Sequence, residues 1–230
     1  MRLKKETLKE LIPLLILVIT SAIGVVLVRM RWNFSGHLRY LFLIWNLILA
    51  WMPIFFAWFA GWRLGDPTQP LYKRPFGLAA AGLWLLFLPN APYIVTDMLH
   101  LRPTPTAPYW YDIAMLIIFA STGLMLGFLS LDWMQTVVQR RYGFWPSWIF
   151  SFGILGLSGM GVYIGRVLRW NSWDLLRRPT TVLADIFHNF ITPELALRAW
   201  GLSILLVGML ISGYLLLASW RREWVVENGS

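Results

Sequence analysis

Cysteine is absent from this chain of 230 residues, and histidine occurs only three times. Without thiols the chain has neither disulfides nor thiolate metal sites, and no metal-ligand spacing surrounds the histidines. The sequence also lacks an internal repeat, a serine nucleophile motif and a nucleotide-binding glycine loop, so it predicts no metal and no cofactor. Charged residues make up only 13% of the chain, which excludes an ordinary soluble domain.

Apolar residues are abundant instead. Hydrophobic residues make up 58% of the chain, with 15 Trp and 14 Phe. A helix needs about 20 apolar residues to cross a hydrocarbon core of about 30 Å. The sequence therefore predicts an all-α polytopic bundle that forms one integral membrane domain over residues 1–230. Six spans are expected, near residues 11–28, 38–60, 76–95, 112–131, 146–167 and 199–219.

The net charge of +9 comes from arginines and lysines at the ends of these spans. Such side chains typically reach lipid headgroups, so we expect the lipid bilayer as a partner and no nucleic acid. Lys and Arg are slightly more numerous on the side that holds both termini, which favours cytoplasmic termini. The first apolar run is longer than the roughly 15 residues of a signal peptide core and lacks a clear cleavage site, which favours a retained helix.

Two prolines interrupt the third span. Pro89 cannot donate to the carbonyl of Leu85, and Pro92 cannot donate to that of Leu88. The sequence therefore predicts a helix broken at Pro89 and Pro92, whose free carbonyls bind a cation or water, with Asn90 as a partner. The alternative is a kink whose backbone groups are satisfied by neighbouring helices.

Asp97 and His100 follow the break at a spacing of three residues, which places them on one helix face. A carboxylate can orient an imidazole as a general base, the pair can supply two metal ligands, or it can relay a proton. The alternative is a hydrated helix end, where Asp97 caps a turn and His100 faces headgroups.

The fifth span ends in a second polar string. If its helix continues past Arg166, one stripe carries Arg166, Arg169, Trp170 and Trp173, with Arg166 near Trp170. Guanidinium groups there suit a phosphate or a carboxylate. The alternative is interfacial anchoring, in which Asp174 pairs with an arginine that follows it.

Small residues recur at a spacing of four in two spans. Gly123 with Gly127, and Gly161 with Gly165, form faces that let another helix approach closely. We expect these faces to serve packing, and they are also candidate contacts for a homo-oligomer.

With six spans, the loops after the third and the fifth span emerge on the same side of the membrane. This arrangement favours one shared pocket, in which Asp97 and His100 are the candidate catalytic residues. The candidate substrate-binding residues are Asn90, Tyr93, Asp112, Arg166, Arg169, Asn171, Trp173 and Asp174. An amphipathic helix near residues 181–191 is expected to lie in the interface or over the mouth of this pocket.

Several strings of the chain resemble one family. They are LPNAPYIVTDMLHL (88–101), WYD (110–112), ASTGLMLGFLSL (120–131) and GVYIGRVLRWNSWDLL (161–176). Together they resemble the bacterial and archaeal membrane proteins grouped as domain of unknown function 1361. The resemblance implies a multi-span protein of the cell membrane, and it implies no activity.

Three classes of function remain open from the sequence. The first is a membrane-embedded site on the extracytoplasmic face that binds or processes an anionic amphipathic substrate, such as a lipid headgroup, or a small anion. The second is an ion or solute transporter or channel that uses the broken third helix. The third is a noncatalytic assembly protein whose small-residue faces bind other membrane proteins.

Overall fold

The chain folds into helices joined by short turns. The computed structural model describes residues 2–103 and 107–227, with side chains from 11 to 103 and from 107 to 219. The helices are α1 (Arg2–Ser35), α2 (Phe42–Leu64), α3 (Pro75–Phe87), α4 (Asn90–Tyr93), α5 (Tyr109–Tyr142), α6 (Phe144–Tyr163), α7 (Ser172–Arg177), α8 (Pro179–Ile191) and α9 (Pro193–Glu227). Two 3-10 segments, Leu71–Lys73 and Ile94–His100, and one π turn, Ile164–Leu168, complete the described secondary structure.

Within the described part of the chain, six segments are long and apolar enough to cross a membrane, which confirms the predicted all-α polytopic bundle. They are Leu11–Ser35, Phe42–Leu64, Pro75–His100, Tyr109–Tyr142, Phe144–Leu168 and Pro193–Ser219. The helices extend beyond the predicted spans. The first runs past residue 28 to Ser35, and the last begins at Pro193 rather than at residue 199.

Helix α5 lies at the centre of the bundle and has the largest buried share of the six spans. Its fully buried side chains include Met115, Leu116 and Leu126. One face packs on α1, α2 and the third span, and another packs on α6. The third span is therefore enclosed by helices along the stretch that the prolines interrupt.

The third span is broken, as the prolines predict. Helix α3 ends at Phe87, a turn at Leu88 and Pro89 follows, and the chain continues through α4 into the 3-10 segment. The backbone keeps right-handed helical angles at both turn residues. The break is thus an interruption of α-helical backbone hydrogen bonding and not an unwound loop.

The segment predicted to form an interfacial helix is helical and corresponds to α8. Val182, Ile186 and Phe190 face the protein at a spacing of four residues, and Val182 and Phe190 are buried. Leu183 and Phe187 are 46% and 61% exposed on the outer side. An amphipathic helix with apolar residues on both sides suits a position between the bundle and the membrane interface.

Candidate functional site

Asp97 lies at the centre of a buried polar cluster. Its side chain is 1% exposed, and Arg166 Nη2 donates to Oδ1 at 2.6 Å. Asn46 Nδ2 donates to the second carboxylate oxygen at 2.7 Å. The cluster therefore joins the third span to α2 and to the end of α6. A carboxylate at this depth is stable because both oxygens have donors and a cation compensates the charge.

Arg166 is held by the third span on several sides. Its Nε donates to Thr96 Oγ1 at 2.8 Å, and its guanidinium carbon lies 4.5 Å from the centre of the Tyr93 ring. The Thr96 hydroxyl in turn donates to the carbonyl of Tyr93 at 2.6 Å. Because Asp97 already compensates its charge, Arg166 is fixed as a structural partner of the third span.

His100 borders the cluster without bonding to it. Its Nδ1 lies 3.9 Å from Asp97 Oδ1, and its side chain is 48% exposed. The ring packs against Phe42 with 5.0 Å between centroids. A general base oriented by a carboxylate needs a hydrogen bond of about 2.6–3.2 Å. The structure thus brings Asp97, His100 and Arg166 together, but it does not form an oriented dyad.

Three carbonyls at the break, those of Leu86, Phe87 and Leu88, accept hydrogen bonds within the protein. Asn90 Nδ2 donates to the carbonyl of Phe87 and to Ser172 Oγ, each at 3.0 Å. Ser172 Oγ donates to the carbonyl of Leu86, also at 3.0 Å. The carbonyl of Leu88, predicted to be free, accepts the backbone N–H of Ala91 at 3.1 Å. The prediction was wrong for Leu88, since a tighter turn supplies the donor that Pro92 lacks.

Both glycine faces pack on the broken span. A Cβ added at Gly161 would meet the Pro89 ring at 2.5 Å, and one at Gly165 would meet the Tyr93 ring at 3.2 Å. On the other side, a Cβ at Gly123 would meet the carbonyl oxygen of Ala91 at 2.6 Å. These faces are therefore occupied within the chain, and a homo-oligomer would need a different surface.

The stripe predicted beyond Arg166 does not form, because the helix ends there. The π turn closes α6, and Arg169 adopts a left-handed conformation with φ of 61°. Trp170 then points to α8, where its indole N–H donates to Asp185 Oδ2 at 2.9 Å. The cation–π partner of Arg166 is consequently Tyr93 and not Trp170.

The start of α7 accounts for two more predicted residues. The backbone N–H of Asn171 donates to Asp174 Oδ2 at 2.8 Å, so this carboxylate closes the first turn of α7. The expected pairing of Asp174 with a following arginine is replaced by this local bond. Trp173 is half-buried on the same short helix.

Asp112 belongs to a separate cluster. Arg31 Nε donates to its Oδ1 at 2.6 Å, and the Tyr40 hydroxyl donates to its Oδ2 at 3.0 Å. Burial, together with this hydrogen bond to the carboxylate, raises the pKa of Tyr40 to about 12. Asp112 thus joins the fourth span to α1 and to the turn between α1 and α2, and it is not part of the Asp97 cluster.

A cavity of about 320 Å³ lies between α2 and α6, over the broken span. Its polar end is formed by Asn46, Asn90, Tyr93, Asn171 and Ser172. Apolar side chains form the rest of the wall, among them Leu49, Leu85, Leu86, Leu157, Val182 and Ile186. Trp45 and Leu157 are 54% and 51% exposed at its edges. The cavity therefore opens between two spans, on the apolar outer surface of the bundle.

Asn46 and Ser172 are among the cavity residues that escaped prediction from the sequence. Asn46 and Ser172 line the cavity and bond to Asp97 and Asn90, respectively. Asn46 stands alone as an amide in the apolar second span, and an isolated polar residue at membrane depth is a signal of function. Ser172 carries no comparable signal, because serine is common in loops.

Comparison with known proteins places the chain in one family. A family model described as "Protein of unknown function (DUF1361)" matches residues 45–212. The match covers well over half of the chain, which therefore belongs to this family. It includes the broken span, the π turn and every residue that lines the cavity. Comparisons with curated proteins and with solved structures give no match.

Proposed function

We propose that this member of the DUF1361 family binds an anionic amphipathic molecule, such as a lipid with an acidic headgroup, in the cavity between α2 and α6. The shape and lining of the cavity carry this proposal. Sites for amphipathic molecules combine apolar walls with a few polar groups that orient the ligand. Here the amides and hydroxyls gather at one end, and the apolar walls open at the outer surface of the bundle, where Trp45 and Leu157 are more than half exposed.

Arg169 is the residue that we assign to the anionic group. It is exposed, and it directly precedes the cavity residues Trp170 and Asn171. Its left-handed backbone costs about 1–3 kcal/mol for a non-glycine residue, and such strain gathers at functional sites. Arg166, by contrast, is compensated by Asp97 and serves to hold Tyr93 in place.

Binding has more support than catalysis in this geometry. Asp97 does not line the cavity, and its donors Asn46 and Arg166 occupy both of its oxygens. His100 lies beyond hydrogen-bond distance of that carboxylate. We therefore assign to Asp97 the positioning of Asn46, which does line the cavity.

The transporter and assembly hypotheses rest on features that the chain uses internally. The carbonyls of Leu86, Phe87 and Leu88 at the break have donors within the protein. The glycine faces pack on the same span. Neither feature favours an ion path or a partner protein over the cavity.

Photocrosslinking tests the proposal, with p-benzoylphenylalanine introduced at Leu49, which lines the cavity, or at the neighbouring Ile48, which is 51% exposed. The protein is irradiated in mixed phosphatidylglycerol and phosphatidylcholine nanodiscs, and the lipid adducts are identified by mass spectrometry. We expect adducts at Leu49 to be enriched in phosphatidylglycerol, whereas adducts at Ile48 follow the bulk composition. Equal composition at the two positions would contradict specific binding.

The same crosslinking assay tests the role of Arg169 by comparing two arginine variants. Arg169→Gln should lower the enrichment at Leu49 by about tenfold, because a hydrogen bond to a charged group contributes about 1.5–3 kcal/mol. The matched control is Arg177→Gln, which removes an exposed charge on α7; like Arg169 it does not itself line the cavity, but its backbone is regular helix. A similar loss in both variants would indicate general surface charge and not a site at Arg169.

We also propose that the polar end of the cavity faces the extracytoplasmic side, with both termini in the cytoplasm. Six crossings would put both termini on one side of the membrane and the loops around the cavity on the other. The slight excess of Lys and Arg on the terminal side supports this orientation.

A further inference from the structure

A buried hydroxyl lies in the cavity wall, away from its polar end. Ser158 on α6 lines the cavity and is only 2% exposed. Among the described residues, its Oγ has no hydrogen-bond partner. A buried hydroxyl that lacks a partner is costly, so such a group is informative in a cavity wall.

Other serines on α6 behave differently. Ser147 Oγ donates to the carbonyl of Phe144 at 2.7 Å, and Ser151 Oγ donates to the carbonyl of Ser147 at 3.0 Å. Serine in a membrane helix ordinarily satisfies its hydroxyl in this way. Ser158 does not, and rotation about its Cα–Cβ bond can direct its hydroxyl toward a molecule in the cavity.

The depth of Ser158 restricts the chemistry of that molecule. Ser158 precedes Gly165, which packs on Tyr93 at the polar end, by two turns of helix. At about 1.5 Å per residue, the hydroxyl lies about 10 Å deeper along the helix axis. The wall around it is apolar and includes Leu85 and Leu157. A ligand that satisfies Ser158 therefore carries a hydrogen-bond acceptor well below its headgroup.

We infer that the occupant is an ester-linked glycerolipid, one of whose ester carbonyls accepts a hydrogen bond from the Ser158 hydroxyl. This inference rests on the proposed function and specifies its ligand class. In a glycerolipid the ester carbonyls lie below the headgroup, where the acyl chains begin. Ether-linked lipids and polyprenyl phosphates have no carbonyl at that depth, so they would leave Ser158 without an acceptor.

Competition between two lipids tests the inference. The purified full chain is incubated with an equimolar mixture of dioleoyl phosphatidylglycerol and its dioleyl ether analogue, and bound lipid is measured by native mass spectrometry. We expect the ester lipid to be retained about two- to tenfold over the ether lipid, the range that one hydrogen bond provides. Ser158→Ala should bring this ratio close to one.

Two serine variants serve as controls. Ser151→Ala removes a buried hydroxyl that bonds within α6, and Ser203→Ala removes one that also lacks a partner but does not line the cavity. Both should keep the preference for the ester. Equal retention of the two lipids by the unmodified chain would overturn the inference, as would a preference that survives in Ser158→Ala or disappears in Ser203→Ala. Failure to retain either lipid would instead contradict the proposed function itself.

Discussion

The ion pair between Asp97 and Arg166 should show strong coupling in a double-mutant cycle. Arg166→Gln leaves a carboxylate that is 1% exposed with Asn46 as its remaining close donor. Removing one partner of a buried pair costs about 3–5 kcal/mol. Asp97→Asn should cost less, about 1–3 kcal/mol, because Arg166 keeps its bond to Thr96 and its side chain is 14% exposed.

The double variant should be more stable than the sum of these losses predicts. Two neutral amides can bond to each other, and neither leaves a buried charge without a partner. We expect a coupling free energy of about 2 kcal/mol, within the range for residues in one polar network. Titration with sodium dodecyl sulfate in mixed micelles, followed by circular dichroism, measures the unfolding free energy of each variant. Additive losses would refute the coupling.

The second ion pair provides a matched control for function. Asp112 is equally buried and is paired with Arg31, but neither residue lines the cavity between α2 and α6. Asp112→Asn should lower stability and leave the lipid adduct at Leu49 unchanged. Asp97→Asn should remove the enrichment of anionic lipid, and the double variant with Arg166→Gln should bind no worse than either single. Equal effects of Asp97→Asn and Asp112→Asn on the adduct would contradict the positioning role.

Three further predictions concern the titration of Tyr40, the packing of Gly161 and the side of the membrane on which two loops lie. The pKa of Tyr40 rises from 10.0 to about 12 in the folded chain, so its contribution to stability is present below pH 10 and is lost as the pH rises toward 12. Tyr40→Phe should lack this loss of stability in alkaline unfolding titrations. A titration that is unchanged in Tyr40→Phe would contradict the bond to Asp112. Gly161→Ala should destabilise the chain by about 1–3 kcal/mol, because the added methyl group would clash with Pro89. Gly156→Ala, on the same helix, should not destabilise it, because a methyl group there meets open space. Equal unfolding midpoints for the two variants would refute the packing argument. Reporters fused in the loops after the third and fifth spans should both give an extracytoplasmic signal, and opposite signals would contradict the six-span topology.

The spans and the break were predictable because their causes are local. Apolar composition over about 20 residues specifies a membrane helix without reference to its neighbours. Proline likewise removes a ladder bond wherever it stands in a helix. The α-helical hydrogen bonding of the third span is accordingly interrupted at Leu88 and Pro89.

The contacts of the site were less predictable because they join distant segments. Arg31 and Asp112 are 81 residues apart, and Asn46 and Asp97 are 51 residues apart. One sequence contains no signal that selects such partners from the other polar residues on the same side. The π turn also includes a distant contact, since its Gly165 packs against Tyr93, and helix propensity does not encode such a contact.

The break in the third span has a consequence for the cavity that a continuous helix would not provide. A 3-10 segment has about three residues per turn, so residues three apart lie nearly in line. Tyr93 and Thr96 accordingly meet the same guanidinium, and Asp97 bonds to its outer nitrogen. Because glycine faces hold the break from two sides, the ring of Tyr93 keeps its position at the polar end. We therefore expect the prolines to serve ligand binding by orienting side chains, while the carbonyls of Leu86, Phe87 and Leu88 have donors within the protein.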